Sequence, residues 1–193
     1  TIIFGGPHCS HEPKFILNDP NVDLMVCGEG DISIVELIQA LEEGTDISNI
    51  SGIAYKKNGT YIRTTDRPVI RDLDNFDQEY GLIDLERYFN FQSSMDFFPV
   101  YRNKRFIPLV TSRGCPFKCT YCHDIFDKSI QYRSPEVVVD EMEYLLNTYG
   151  IQEFHIVDDV FNVNMKRAKI VLDAIIKRNL NVHISFPNGL RAD

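Results

Sequence analysis

At 193 residues with 44% apolar content, the chain is sized for one ordinary globular domain or two smaller ones and is too apolar for a disordered tail. Its formal charge of −8 disfavours a surface built to grip nucleic-acid phosphates, and no apolar run approaches the ~20 residues that span a bilayer. Five cysteines without a signal-like segment at Thr1-Ile2-Ile3-Phe4 do not suggest a disulfide framework, and the chain reads as soluble, cytoplasmic and excised from something longer.

Residues 1–4 read as a short buried strand that runs into Gly5-Gly6-Pro7-His8, where two glycines allow a sharp turn or the close approach of a ligand. A short helix is expected over 13–18 and a second buried strand over 22–27, after which Gly28-Glu29-Gly30-Asp31 opens a helix over 32–43. That helix carries Ile34, Val35, Ile38 and Leu41 at helical spacing, which predicts that this face is buried. Strand, glycine loop and helix, twice over, make a doubly wound α/β pattern, in which ligands bind outside the carboxyl ends of the strands. Asn58-Gly59 between two β-rich runs, 52–57 and 60–64, predicts a tight hairpin able to pair with a sheet edge. Residues 65–105, with Pro68, Asp72, Asp74 and Pro99, read as an irregular arm anchored by Phe76, Tyr80, Tyr88, Phe89 and Phe91.

Residues 106–111 form the next expected strand, and it delivers the chain into Ser112-Arg113-Gly114-Cys115-Pro116-Phe117-Lys118-Cys119-Thr120-Tyr121-Cys122-His123. Three cysteines at C-x3-C-x2-C spacing can bring soft thiolates onto one centre without help from distant chain, which is the donor chemistry of an iron–sulfur cluster. No fourth cysteine lies nearby, since Cys9 and Cys27 are far upstream. One iron would therefore stay open to a ligand that is not protein. Ser134 and Pro135 then start a helix that buries Val138, Met142, Leu145 and Tyr149 and stops at Gly150. A strand over 153–158 follows, with a helix from Asn164 through Arg178 burying Ala168, Val171, Leu172, Ile175 and Ile176, and a last strand over 182–186. This right-handed βαβαβ run is the opening of a (β/α) barrel. It gathers at one end the cysteine loop, Asp158-Asp159-Val160-Phe161-Asn162 and Pro187-Asn188-Gly189-Leu190-Arg191.

The cysteine tract resembles the cluster-binding loop of the radical S-adenosylmethionine (radical SAM) enzymes, C-x3-C-x-aromatic-C, with Tyr121 in the aromatic place. Its flank Thr111-Ser112-Arg113-Gly114-Cys115-Pro116 and the upstream Gly28-Glu29-Gly30 further resemble the subgroup carrying a cobalamin-binding domain ahead of the radical SAM domain. The resemblance implies an α/β chain comprising the later part of a Rossmann-like cobalamin-binding domain with its hairpin (1–64), an interdomain arm (65–105) and the first strands and helices of a partial (β/α) radical SAM barrel (106–193).

It also implies cofactors and roles. Cys115, Cys119 and Cys122 would ligate three irons of a [4Fe–4S] cluster, and S-adenosylmethionine would chelate the fourth. Tyr121 would lie beside the adenine; Asp158 and Asp159 stand where many members carry a Gly-Gly-Glu segment that binds the methionine ammonium, and this sequence departs from that pattern. Asn188 and Arg191 would face the methionine carboxylate or a substrate acid, while Gly5, Gly6, Gly28, Glu29 and Gly30 would border cobalamin. His8 gets no cobalt-ligand role, because Gly6 stands where a D-x-H-x-x-G motif needs Asp. The implied partners are a small-molecule substrate and a low-potential electron donor such as ferredoxin or flavodoxin, with no membrane or nucleic acid. Two alternatives stay open: a radical SAM enzyme whose α/β domain binds no cobalamin, and a non-enzymatic metal-stabilised module, as a zinc Cys3His site with His123 would be.

Overall fold

Short apolar runs bounded by glycine-capped helices yield two units, one of Thr1–Ile70 with Pro116–Ser129 and one of Arg71–Cys115 with Ile130–Asp193. The structure is a computed structural model and describes residues 1–76, 78–92, 102–103, 105–122 and 128–192, with Phe91 and Gln92 described by their backbone alone. His123, Pro99 and the Phe91 side chain thus fall outside the described residues. Among the described residues no helix is long and apolar enough to cross a membrane.

The first unit contains β1 (Ile3–Phe4), α1 (Pro7–His11), α2 (Pro13–Ile16), β2 (Leu24–Val26), α3 (Gly30–Glu43), β3 (Ile53–Lys57) and β4 (Thr60–Arg63). Its sheet has the order β1-β2-β3-β4. β1 runs parallel to β2, with Ile3 opposite Leu24, and β2, β3 and β4 then pair antiparallel. The expected hairpin therefore extends this sheet, turning through Asn58 and Gly59. Helix α3 is rotated from the expected face: Ser33, Leu37 and Ala40 are buried, while Val35 and Ile38 are 52% and 44% exposed and Leu41 is exposed as well. Polar pins set this rotation. Ser33 Oγ donates to Ser51 O at 2.9 Å and accepts from Arg67 Nε at 2.8 Å, while Arg67 also pairs with Glu36. With apolar residues on both faces of α3, helical periodicity could not choose between them.

Residues 65–70 are laced to the same unit. Gly52 N donates to Thr65 O and Gly52 O accepts from Cys27 N, both at 2.8 Å. Gly52 has φ +78°, and a Cβ there would stand 2.9 Å from Ser33 Oγ and 3.1 Å from Cys27 O, so only glycine fits.

The second unit contains α4 (Leu85–Gln92), β5 (Phe106–Leu109), β6 (Ser112–Arg113), β7 (Gln131–Tyr132), α5 (Pro135–Tyr149), β8 (Glu153–Ile156), α6 (Met165–Lys177) and β9 (His183–Ser185). A parallel sheet of order β5-β8-β9 has α5 and α6 as crossovers, with Phe106 opposite Glu153 and Glu153 opposite His183. Both helix starts are built as the sequence indicates. Ser134 Oγ accepts from Val137 N with Pro135 in the first turn, and Asn164 Oδ1 accepts from Arg167 N. Val138, Val139, Met142 and Leu145 of α5 and Ala168, Val171 and Ile175 of α6 close on Ile107, Leu109, Phe154 and Ile156 of the sheet. Each fully buried Val, Leu, Ile, Phe or Met among these contributes about 1.5–3 kcal/mol. On α6, Leu172 and Ile176 are exposed instead of buried, and the buried place goes to Arg167.

Residues 78–92 carry two of the expected anchors, Tyr80 and Phe89, into the core. A short 3-10 turn, Tyr80–Leu82, and α4 place Tyr80, Leu85 and Phe89 in the core of this unit, while Tyr88 stays exposed. Tyr80 OH donates to Glu141 Oε1 at 2.5 Å, and the other Glu141 oxygen pairs with Arg133 Nη1 at 2.5 Å. Strand β5 includes Pro108, which has no N–H to donate; among the described residues β5 pairs with β8 alone, and proline is tolerated on such an edge.

Glu153 anchors the start of β8. It is buried and accepts from Arg102 N and Asn103 N, each at 2.7 Å, and lies 2.9 Å from His155 Nε2. Burial pushes its carboxyl pKa up, but the hydrogen bonds of His155, Asn103 and Arg102 outweigh burial and leave it below its ordinary value. The ionised form is therefore favoured by folding: the stabilisation is present above the ordinary carboxylate range and is lost as pH falls through the folded value. Glu153→Gln is expected to lower stability by about 1–3 kcal/mol at neutral pH, with the gap to the parent narrowing below about pH 4; urea unfolding across a pH series measures both. Gly52→Ala is expected to cost about 2–4 kcal/mol, from a blocked Cβ and a left-handed backbone together, read as a lowered unfolding midpoint.

Candidate functional site

Strand β5 ends at Leu109, and the chain then enters a two-stranded antiparallel ribbon in which Ser112 pairs with Tyr132 and Arg113 with Gln131. Arg133 N adds a hydrogen bond to Thr111 O at 3.0 Å, and Arg133 Nη1 reaches Val110 O at 3.0 Å. The cysteine segment is therefore a long loop whose two arms are zipped together at the neck. Gly114, at φ +90°, turns the chain out of the ribbon one residue before Cys115.

Beneath this neck lies a buried polar hub. Asp158, just past the end of β8, is 2% exposed; its Oδ1 accepts from Thr111 N, and its Oδ2 from Thr111 Oγ1 and Ser112 Oγ, all at 2.6 Å. Arg167, in the first turn of α6, is 7% exposed. Its Nη2 donates to Thr111 O at 2.7 Å and Arg133 O at 2.9 Å, its Nε to Arg133 O at 3.2 Å and its Nη1 to Thr111 Oγ1 at 3.3 Å. The guanidinium carbon sits 4.9 Å from the centroid of the Tyr132 ring. Burial pushes the Arg167 pKa down and the Asp158 charge opposes it; an arginine stays charged throughout.

The loops after β8 and β9 are sewn to each other. Asn188 Nδ2 donates to the carbonyls of Val157 and Asp158 at 3.1 and 3.0 Å. Asn162 and Arg191 exchange a reciprocal pair: Asn162 Nδ2 to Arg191 O at 2.7 Å and Arg191 N to Asn162 Oδ1 at 2.9 Å. Asp158, Asn188 and Arg191 are thus gathered at the carboxyl end of the parallel sheet, with Asp159 in the same loop. Both carboxylate oxygens of Asp158 are engaged within the protein, where they hold the strand tips together.

Cys115 is half-buried at the end of this neck, and Cys119 and Cys122 are exposed, with Cys122 N bonded to Cys119 O at 3.2 Å. The Tyr121 side chain is 91% exposed. Among the described residues no three His, Cys, Asp or Glu side chains stand close enough to share a metal ion. The donor chemistry nonetheless suits an iron–sulfur cluster: three soft, accessible sulfurs in one loop and no fourth.

In the first unit the two glycine loops meet through Ser10, whose Oγ lies 3.1 Å from Gly6 O and accepts from Gly28 N at 2.8 Å. Gly5 O accepts from Cys9 Sγ at 3.2 Å, Gly30 opens α3, and the buried Glu29 accepts from Ile70 N at 2.5 Å. Glu29 is therefore a strap between a loop and residues 65–70, and what this loop offers outward is backbone. Arg167 and Arg133 were not singled out from the sequence, and Thr111, Ser112 and Asn162 stood there only as members of a motif flank or a loop, without a role of their own. Arg167 carried a usable signal: it lies in line with Ala168, Val171 and Ile175, and a charge on a buried stripe demands partners.

A cysteine loop zipped at its neck and carried by the first strand of a parallel βαβαβ sheet defines the class, an α/β protein with a metal-type loop at the strand carboxyl ends. Residues 109–192 match the Radical SAM superfamily and make up this chain's radical SAM domain. An uncharacterized methyltransferase of Pyrococcus horikoshii is 34% identical over 171 residues, covering 86% of this chain and 35% of its own. The anaerobic magnesium-protoporphyrin IX monomethyl ester cyclase of Synechocystis sp. is 31% identical over 185 residues, covering 95% and 35%. Among solved structures, the radical S-adenosylmethionine methyltransferase TsrM from Kitasatospora setae, with tryptophan and aza-SAM bound, shares the fold with a TM-score of 0.68 at 24% identity, covering 92% of this chain and 33% of that one. The chain spans about a third of the length of the curated relatives it matches.

Asp158→Ala would leave Thr111 N, Thr111 Oγ1 and Ser112 Oγ without their buried acceptor and remove an opposite charge that favours ionised Arg167. An expected loss of about 3–5 kcal/mol follows, measurable by chemical unfolding of the chain.

Proposed function

We propose that the chain is the part of a radical SAM enzyme that holds a [4Fe–4S] cluster through Cys115, Cys119 and Cys122 and binds S-adenosylmethionine at the open iron. One observation carries this reading: the C-x3-C-x2-C loop leaves the carboxyl end of the first strand of a parallel sheet within the segment that matches the superfamily. When bound, cluster and S-adenosylmethionine together supply a 5′-deoxyadenosyl radical, the cofactors carrying the hard chemistry. The protein's own work is positioning. The neck presents Cys115 at the strand tip, and Asn188 and the Asn162–Arg191 pair shape the adjoining wall, where Arg191 and Asp159 are the residues for the charged ends of a methionine moiety. Tyr121 serves the adenine through its backbone. Residues 106–193 would then be the opening of a partial (β/α) barrel, and a small-molecule substrate with a low-potential electron donor completes the reaction.

The cobalamin reading extends this. TsrM has been solved with cobalamin and a [4Fe–4S] cluster bound, and its fold matches this chain with a TM-score of 0.65. We read residues 1–64 as the later part of a Rossmann-like cobalamin-binding domain, with the Ser10-stitched glycine loops bordering the corrin or its nucleotide tail through backbone atoms. Both methyltransferases and a cyclase occur among the relatives, so methyl transfer to carbon and radical ring closure are the two outcomes to separate.

Purified without oxygen and reconstituted, the whole protein is expected to carry about four irons and four sulfides and to release 5′-deoxyadenosine on reduction with S-adenosylmethionine. Changing Cys115, Cys119 or Cys122 to Ala should abolish both. One zinc per chain, no sulfide and no cleavage would instead establish a structural zinc module, and a protein that cleaves S-adenosylmethionine but retains no corrin would remove cobalamin from the proposal.

A further inference from the structure

Arg167 lies outside the cysteine motif, in the first turn of α6, the helix of the second βα unit. Yet its guanidinium reaches the carbonyl of Thr111, on the arm entering the cysteine loop, and the carbonyl of Arg133, on the arm leaving it, at 2.7 and 2.9 Å from one nitrogen. Tyr132, on the leaving arm, lies under it at 4.9 Å. The entering arm is held from a second side by Asp158, which occupies Thr111 N, Thr111 Oγ1 and Ser112 Oγ. No other cation could do this as well. A lysine offers one compact ammonium on a flexible stem, whereas the planar fork can serve two carbonyls and a hydroxyl in a fixed geometry while stacking on a ring.

We propose that Arg167 is a positioning residue for the cluster: a clamp across the neck of the cysteine loop that sets the register of its two arms, and with it the presentation of Cys115. The inference rests on the iron–sulfur reading for its purpose, although the clamp itself is a statement about the neck. A long loop that must bring three sulfurs onto one centre loses less conformational freedom on cluster binding when its ends are already joined. The helix of the next βα unit thus preorganises the loop of the preceding one. Thr111 links the two halves of the hub, since its hydroxyl lies within reach of Asp158 and Arg167 together.

The test compares the parent protein, Arg167→Lys and, as a control on the same helix, Lys169→Ala, whose only described partner is the exposed Asp173. Amide hydrogen exchange is followed across 109–133, together with iron and sulfide content and the electron paramagnetic resonance of the reduced cluster with and without S-adenosylmethionine. In Arg167→Lys the Arg133 amide should exchange at least about tenfold faster while α5 and β8 keep their protection. Reconstituted iron should fall below about half of the parent's four, and the spectral change on adding S-adenosylmethionine should weaken; Lys169→Ala should match the parent. Should the lysine variant not fold, Tyr132→Leu, which removes the ring beneath the guanidinium and keeps its hydrogen bonds, carries the same expectations at smaller size. Parent-like exchange at Arg133, or loosened exchange with parent-like iron and spectra, overturns the proposal. A parent that takes up no iron and sulfide defeats the cofactor reading instead, and the exchange comparison then decides the clamp alone.

Discussion

The second unit depends on an ionic hydrogen-bond hub buried where two strand ends and a helix start converge. Asp158 and Arg167 bring opposite charges out of water, and each is compensated by bonds that also define the backbone: Thr111 is gripped at its N–H, its hydroxyl and its carbonyl. Desolvating two charges is costly, so such a pair contributes little net stability over an apolar substitute of the same shape. What it provides is a single admissible geometry at the place where the cysteine loop begins. An apolar plug would fill the volume but would leave the loop's arms free to slide.

The same region shows how far the residues alone could be read. The three cysteines, the strand before them and both crossover helices were evident because each is signalled locally: by ligand spacing, by an apolar run, by a Ser-Pro start and a glycine stop in α5, and by an Asn cap in α6. The ribbon of Ser112–Arg113 with Gln131–Tyr132 was not, since two-residue strands have no period to detect, and their pairing is fixed by contacts from elsewhere. Asp158 was picked for its place after a strand, which the structure bears out, but its partners turned out to be hydroxyls and an N–H of the preceding βα unit. No spacing rule links positions so far apart.

Helix α3 teaches the complementary lesson. Its apolar residues go nearly all the way round, and the face turned inward was chosen by Ser33, Arg67 and Glu36, a polar set that hydropathy ranks as surface. The segment 65–70, expected to begin an arm, is the strap that carries Arg67 and meets Glu29. Residues 71–92 gave a weak periodic signal because their burial is discontinuous: Tyr80, Leu85 and Phe89 reach the core from a 3-10 turn and a short helix separated by exposed positions. In both cases tertiary hydrogen bonds decided what local propensity left undecided.

Pro108 carries a consequence of its own. Leu109 turns its carbonyl to Val157 N of the neighbouring strand, so Pro108, one residue earlier, faces the opposite margin of the sheet. That margin has a gap in its row of donors at Pro108, and the Val110 carbonyl beyond is already engaged by Arg133. A foreign strand arriving there would find too few complementary groups to zip. Among the described residues, therefore, the β5 margin offers an arriving strand fewer complementary groups than the β9 margin at His183–Ser185.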